Sequence, residues 1–118
     1  MEQNLNFSKI ILIGHSNGGD ISMMFATLYP EMVSKVISLD NRSYPFSRNT
    51  KIPILRFGAS DDKPDPGVVS KSDVKIIYVN NAKHMDLCDR GGSRINKEIF
   101  KAILRFLNSD TPHVCFCH

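Results

Sequence analysis

Tryptophan is absent from this chain, and cysteine is scarce, with three among 118 residues. An odd number of cysteines at unrelated spacings fits no disulfide framework, so the expectation is a reduced, cytoplasmic protein. Long apolar runs are lacking too. The longest, Ile10 to Ile13, falls far short of the ~18 residues that a membrane-spanning helix requires. The N-terminal MEQNLNFSK has neither a basic start nor an apolar stretch, so no secretory signal is expected there. Charge of one sign is not in excess: fifteen Lys+Arg stand against twelve Asp+Glu, for a net +3, with no basic block. Nothing in that balance points to nucleic acid or an anionic membrane. Repeats and low-complexity tracts are missing as well. What is present, 42% hydrophobic and 23% charged residues, is the composition of a folded globular domain. The expected organisation is one domain over 1–109 and a tail over 110–118, too small for a two-domain enzyme.

Short apolar runs alternate with helical patterns. Lys9–Ile13 is β-branched, apolar on both faces and stopped by Gly14, as a buried parallel strand would be. Asp20–Tyr29 places Ile21, Met24, Phe25 and Leu28 on one helical stripe, and Pro30 blocks its extension. Val36–Leu39, Ile52–Phe57 and Val74–Val79 predict three further strands. From Ile95 to Leu107, apolar residues recur at three- and four-residue spacing, predicting an amphipathic helix. The fold class is therefore α/β, a parallel sheet of about four strands with flanking helices and right-handed crossovers. The eleven residues of Asn41–Lys51 can hold at most a short helix, and Asp62–Asp73, with two prolines, reads as a loop. In such sheets the chemistry sits at the carboxyl ends of the strands.

After the first strand comes Gly14-His15-Ser16-Asn17-Gly18-Gly19. A G-x-S-x-G segment between a β-branched strand and a helix is the sequence a nucleophile elbow requires. The turn strains the serine backbone, so Gly14 and Gly18, two positions away on either side, are expected to be bare for steric reasons. The helix that follows aims its first N–H groups at any oxyanion formed there. A rival is a dinucleotide fingerprint, Gly14-x-Ser16-x-x-Gly19, with Asp40 as the acidic residue further on. Serine replaces the middle glycine that lets backbone approach a pyrophosphate.

A serine hydroxyl needs a base. His15 is adjacent on the turn and its side chain is expected to diverge from the hydroxyl. His113 and His118 lie in the tail. His84, in the loop after the fourth strand, remains the candidate base. A base needs an orienting acid, for which Asp61, three residues past Gly58, is the choice. Asp40 is the reserve because it also ends a strand, and Asp62 reads as a solvent-facing turn residue.

Ile11-Leu-Ile-Gly-His-Ser-Asn-Gly-Gly19, Tyr29-Pro-Glu-Met-Val33, Val36-Ile-Ser-Leu39, Gly58-Ala-Ser-Asp61 and Asn81-Ala-Lys-His84 together resemble the C-terminal half of an α/β-hydrolase. The resemblance implies Ser16 as nucleophile, Asp61 as acid, His84 as base and the N–H of Asn17 as one oxyanion donor. It implies a serine hydrolase acting on small-molecule acyl substrates, carboxylic esters first, with no metal or organic cofactor. The family carries four strands before the elbow strand and a cap after the next; here eight residues precede Lys9 and eleven join Asp40 to Ile52. The elbow strand is therefore expected to form a sheet edge that pairs with an upstream polypeptide or a second copy, and activity is expected to be impaired. The alternatives are a non-catalytic interaction domain using that edge and a nucleotide-binding α/β module.

Weaker signals have simpler readings. Cys115, Cys117, His113 and His118 contain soft ligands, but C-x-C is tighter than zinc spacing, so incidental thiols at a terminus are expected. Cys88 reads as an ordinary free thiol, Asp20 as compensation for the helix dipole, and Met23 and Met24 as packing residues.

Overall fold

The computed structural model describes residues 9–45, 52–61, 63–65, 74–88 and 90–109. Expectations for Asp62, for most of the loop after it (66–73) and for the 110–118 tail lie outside the described residues, as does part of the 41–51 connection. Four strands form one parallel sheet in the order of the chain: β1 (Ile10–His15), β2 (Val33–Leu39), β3 (Ile54–Gly58) and β4 (Lys75–Tyr78). α1 (Asn17–Leu28) follows β1, and α2 (Gly92–Leu107) closes the fold. Pro30 does end α1: the chain leaves the helix at Tyr29 and makes a short 3₁₀ turn over Pro30–Met32. A second 3₁₀ turn, His84–Leu87, had no signal in the periodicity.

Alternation along the strands divides the core into two layers. Met23 and Ala26 of α1 pack on Val33, Val36, Ile54 and Val74. On the opposite face, Ile95, Ile99, Ala102 and Phe106 of α2 cover Ile37, Leu39, Leu55 and Phe57. Lys35, buried on β2, donates to the carbonyls of Phe106 (2.9 Å) and Leu107 (2.8 Å). A cation thus meets the last unpaired carbonyls of α2, where the helix dipole is negative.

Most of the expected stripe of α1 faces solvent: Ile21, Met24 and Leu28 are exposed and Phe25 is partly buried against the core, whereas Gly19, Ser22, Met23 and Ala26 are buried. Small side chains on the buried face let the helix approach the sheet closely, and this contact overrides the larger apolar stripe. In α2 the three- and four-residue spacing predicts Ile95, Ile99, Phe100, Ile103, Leu104 and Leu107 on the apolar face; Ile95 and Ile99 are buried there, but Phe100 and Leu104 are exposed and Phe106 is buried. β1 lies at the edge of the described sheet. Its Ile10 and Leu12 pack beside the α1 layer, while Ile11 and Ile13 are about half exposed on the α2 side, at 46% and 52%.

Candidate active site

The carboxyl ends of β1, β2 and β3, with the loop after β4, bring Ser16, Asp40, Asp61 and His84 together, with Arg42 and Arg56 beside the carboxylates. Ser16 sits between β1 and α1 with φ 57° and ψ −117°. Positive φ is unusual for a residue with a Cβ and is retained only where the surroundings enforce it. Three hydrogen bonds do so: Ser16 N–H donates to Leu39 O (2.9 Å), and its own carbonyl accepts from the N–H groups of Gly19 (2.9 Å) and Asp20 (3.1 Å). The backbone is thereby pinned to β2 on one side and to the helix start on the other.

The steric expectation for the flanking glycines holds at one of them. A Cβ on Gly14 would lie 2.2 Å from the Gly18 carbonyl oxygen, so strand and helix start meet too closely for any side chain. On Gly18 a Cβ would meet nothing within 4 Å, which corrects the expectation that this position must be bare for lack of space. The second crowded position is Gly19, where a Cβ would stand 2.7 Å from Ser38 Oγ.

His84 Nε2 lies 2.9 Å from Ser16 Oγ, and His84 Nδ1 lies 2.5 Å from Asp40 Oδ2. A carboxylate can only accept, so Nδ1–H donates to Asp40, and in the neutral ring Nε2 is left to accept the serine proton. The carboxylate on the imidazole is therefore Asp40, not Asp61. Asp61 is exposed, and its Oδ1 accepts the backbone N–H of His84 at 3.1 Å: it holds the peptide, not the ring. Asp40 is wholly buried at the very end of β2 with φ 62°, a left-handed geometry that aspartate tolerates better than most residues. Its second oxygen is within 3.4 Å of Arg56 Nη2 and 3.3 Å of the Ala59 N–H, and Arg42 Nη2 donates to Oδ2 at 2.9 Å.

Behind Asp40 the network continues. Arg56, fully buried on β3, donates to Asn41 O (2.8 Å) and to Asn41 Oδ1 (3.2 Å), and Ser38 Oγ–H donates to the same Oδ1 (2.6 Å). Asp20 Oδ1 accepts from the N–H groups of Ser43 (3.1 Å) and Tyr44 (2.8 Å), so its carboxylate shapes the loop after β2 as well as facing the start of α1. Sequence reasoning missed Arg42, Arg56 and Asn41. Arg56 did leave a signal: one charge in the apolar run Ile54-Leu-Arg-Phe57 is expected only where a buried carboxylate faces it. Ser60 donates to Ala82 O through both N–H (2.6 Å) and Oγ (2.7 Å), tying the loop that carries Asp61 to the one that carries His84. Cys88 makes one local contact, to Met85 O, and no group of three or more His, Cys, Asp or Glu suited to a metal occurs among the described residues. Nor is any described helix long and apolar enough to cross a membrane.

A model of the alpha/beta hydrolase fold matches residues 1–72. The chain belongs to the α/β-hydrolase family. Among relatives of this hydrolase-family chain is a Bacillus subtilis protein named as an uncharacterised hydrolase, 30% identical over 112 residues, which cover 89% of this chain and 41% of that protein. A Danio rerio protein named serine hydrolase-like is 30% identical over 80 residues, 67% of this chain and 24% of its own length. A Haemophilus influenzae protein, provisionally named an esterase/lipase, is 48% identical over 44 residues, 37% of this chain and 15% of that one. This α/β-hydrolase chain thus spans well under half the length of the curated relatives it matches. No solved structure matches it at a significant level.

Proposed function

We propose that this chain carries a serine-hydrolase site, with Ser16 as nucleophile, His84 as general base and acid, and Asp40 as the orienting carboxylate. The substrate class is small carboxylic esters. The observation that carries this reading is the continuous path from Ser16 Oγ through both nitrogens of His84 to a buried carboxylate. His84 Nε2 takes the hydroxyl proton as Oγ attacks the ester carbonyl, forming a C–O bond and a tetrahedral oxyanion. The oxyanion lies toward the N-terminus of α1, where the N–H of Asn17 is the proposed donor. The imidazolium returns its proton to the leaving alcohol as the acyl-enzyme forms. Water, deprotonated by the same Nε2, then releases the acid. Asp40 holds the tautomer and stabilises the charged ring, and Arg42 and Arg56 keep that carboxylate ionised and fixed. Asp61 supports the loop instead.

The resemblance expects a second oxyanion donor from a loop ahead of the elbow strand, a region of which the described residues include only Lys9. Lack of one such donor slows turnover by roughly 10²–10³. A second reading, a non-catalytic module that recruits a partner strand, is favoured by the half-exposed Ile11 and Ile13 on the edge strand. The nucleotide-binding alternative loses its acidic residue, since Asp40 is buried and engaged by His84 and two arginines. A fluorophosphonate probe distinguishes the remaining two. Covalent labelling that disappears in Ser16→Ala and falls sharply in His84→Ala supports the hydrolase; a folded wild-type chain that takes no label would leave the interaction module.

A further inference from the structure

His15 precedes the serine, and the proposed reaction makes no use of its side chain. It ends β1, in register with Leu39, and its ring turns away from Ser16 toward the loop after β4. His15 Nε2 lies 2.8 Å from the backbone carbonyl of His84, and the two rings approach to 4.9 Å between centroids with their planes tilted by 35°. A carbonyl only accepts, so His15 carries its proton on Nε2. His84 is then restrained at three points by three separate elements: its ring by Asp40 at the end of β2, its N–H by Asp61 after β3, and its C=O by His15 at the end of β1. The third contact comes from the strand that leads directly into Ser16, so it refers the backbone that carries the base to the strand that carries the nucleophile.

We infer that His15 is a positioning residue, whose Nε2–H holds the His84 peptide so that the imidazole stays within hydrogen-bonding reach of Ser16 Oγ. The inference rests on the serine-hydrolase reading of the same site. It assigns His15 no proton transfer; what matters is a donor at the place of Nε2. Glutamine can present an amide N–H at nearly the same reach, whereas phenylalanine keeps the ring and its stacking without the donor.

The experiment compares wild type, His15→Phe and His15→Gln in the rate of fluorophosphonate labelling, in melting temperature, and in the downfield proton resonance of His84 Nδ1–H bonded to Asp40. The expected result is labelling slowed by on the order of 10- to 100-fold in His15→Phe with an unchanged melting temperature, and largely restored in His15→Gln. The downfield resonance should broaden or vanish in His15→Phe and persist in His15→Gln. Labelling and resonance equal to wild type in His15→Phe, or equal loss in both variants, would overturn the inference. If wild type takes no label, or Ser16→Ala still does, the hydrolase reading fails, while the resonance still reports whether His15 holds the imidazole.

Discussion

Two aspartates stand within reach of one histidine and do different work because their burial differs. Asp40, with no solvent contact, meets the ring, two guanidinium groups and a backbone N–H; Asp61, half exposed, meets the backbone of His84 and stands 3.7 Å from Arg42. A buried carboxylate facing Nδ1 both fixes the tautomer and stabilises the imidazolium, whereas an exposed one on a peptide N–H is screened by water. Asp40→Asn should therefore slow fluorophosphonate labelling by roughly 10³–10⁴, because an amide can present its N–H to Nδ1 and reverse the tautomer. Asp61→Asn keeps an acceptor for the His84 N–H and should change the rate by less than about tenfold. Measuring both variants by the same labelling assay decides the assignment, and a reversed ranking would return the role to Asp61.

At the scale of the element, the turn joining β1 to α1 works because two backbones touch. Gly14 and Gly18 approach so closely that a methyl group at Gly14 collides with main chain, which cannot rotate away as a side chain could. Gly14→Ala should lower unfolding free energy by about 3 kcal/mol and displace Ser16. Gly18→Ala, inside α1 with open space around its Cβ, should be neutral or stabilise by about 0.4–1 kcal/mol, since alanine loses less backbone entropy on forming a helix. Urea denaturation of the pair checks this; equal destabilisation by both would mean that the elbow depends on bareness at both positions after all.

At the scale of the whole molecule, the large apolar side chains left in solvent among the described residues include Ile11 and Ile13 on one face of the edge strand, Ile21, Met24 and Leu28 on α1, and Phe100 and Leu104 on α2. An edge strand with unpaired backbone groups beside large aliphatic side chains favours association, either with a further polypeptide or with another copy. Replacing Ile11 and Ile13 together by lysine should reduce self-association in sedimentation velocity over a concentration series, with little change in melting temperature, since neither side chain is in the core. A monomer at every concentration in the wild type would rule out self-association through the edge and leave only a different polypeptide as its partner.

Much of this was legible along the chain because it depends on neighbours in sequence. The four strands, the two helices, the stop at Pro30 and the serine turn follow from period, punctuation and local chemistry, with ends displaced by only a few residues. Ser16 and His84 could be paired in advance because the serine sits in a strand–turn–helix glycine context and His84 follows the last strand. His15, also at a strand end, is too close to Ser16 along the turn to face it. The side chains of Ser16 and His84 stand 2.9 Å apart. The choice between Asp40 and Asp61 could not be made that way, since both follow strands; it was decided by depth, and depth depends on the whole sheet and on Arg56 one strand away. The face of α1 was decided likewise, by how closely Gly19, Ser22 and Ala26 let the helix approach the sheet. Local periodicity marks which residues share a face, but only the packed neighbours set which face is driest, and an ion pair or a helix contact takes its strength from that dryness.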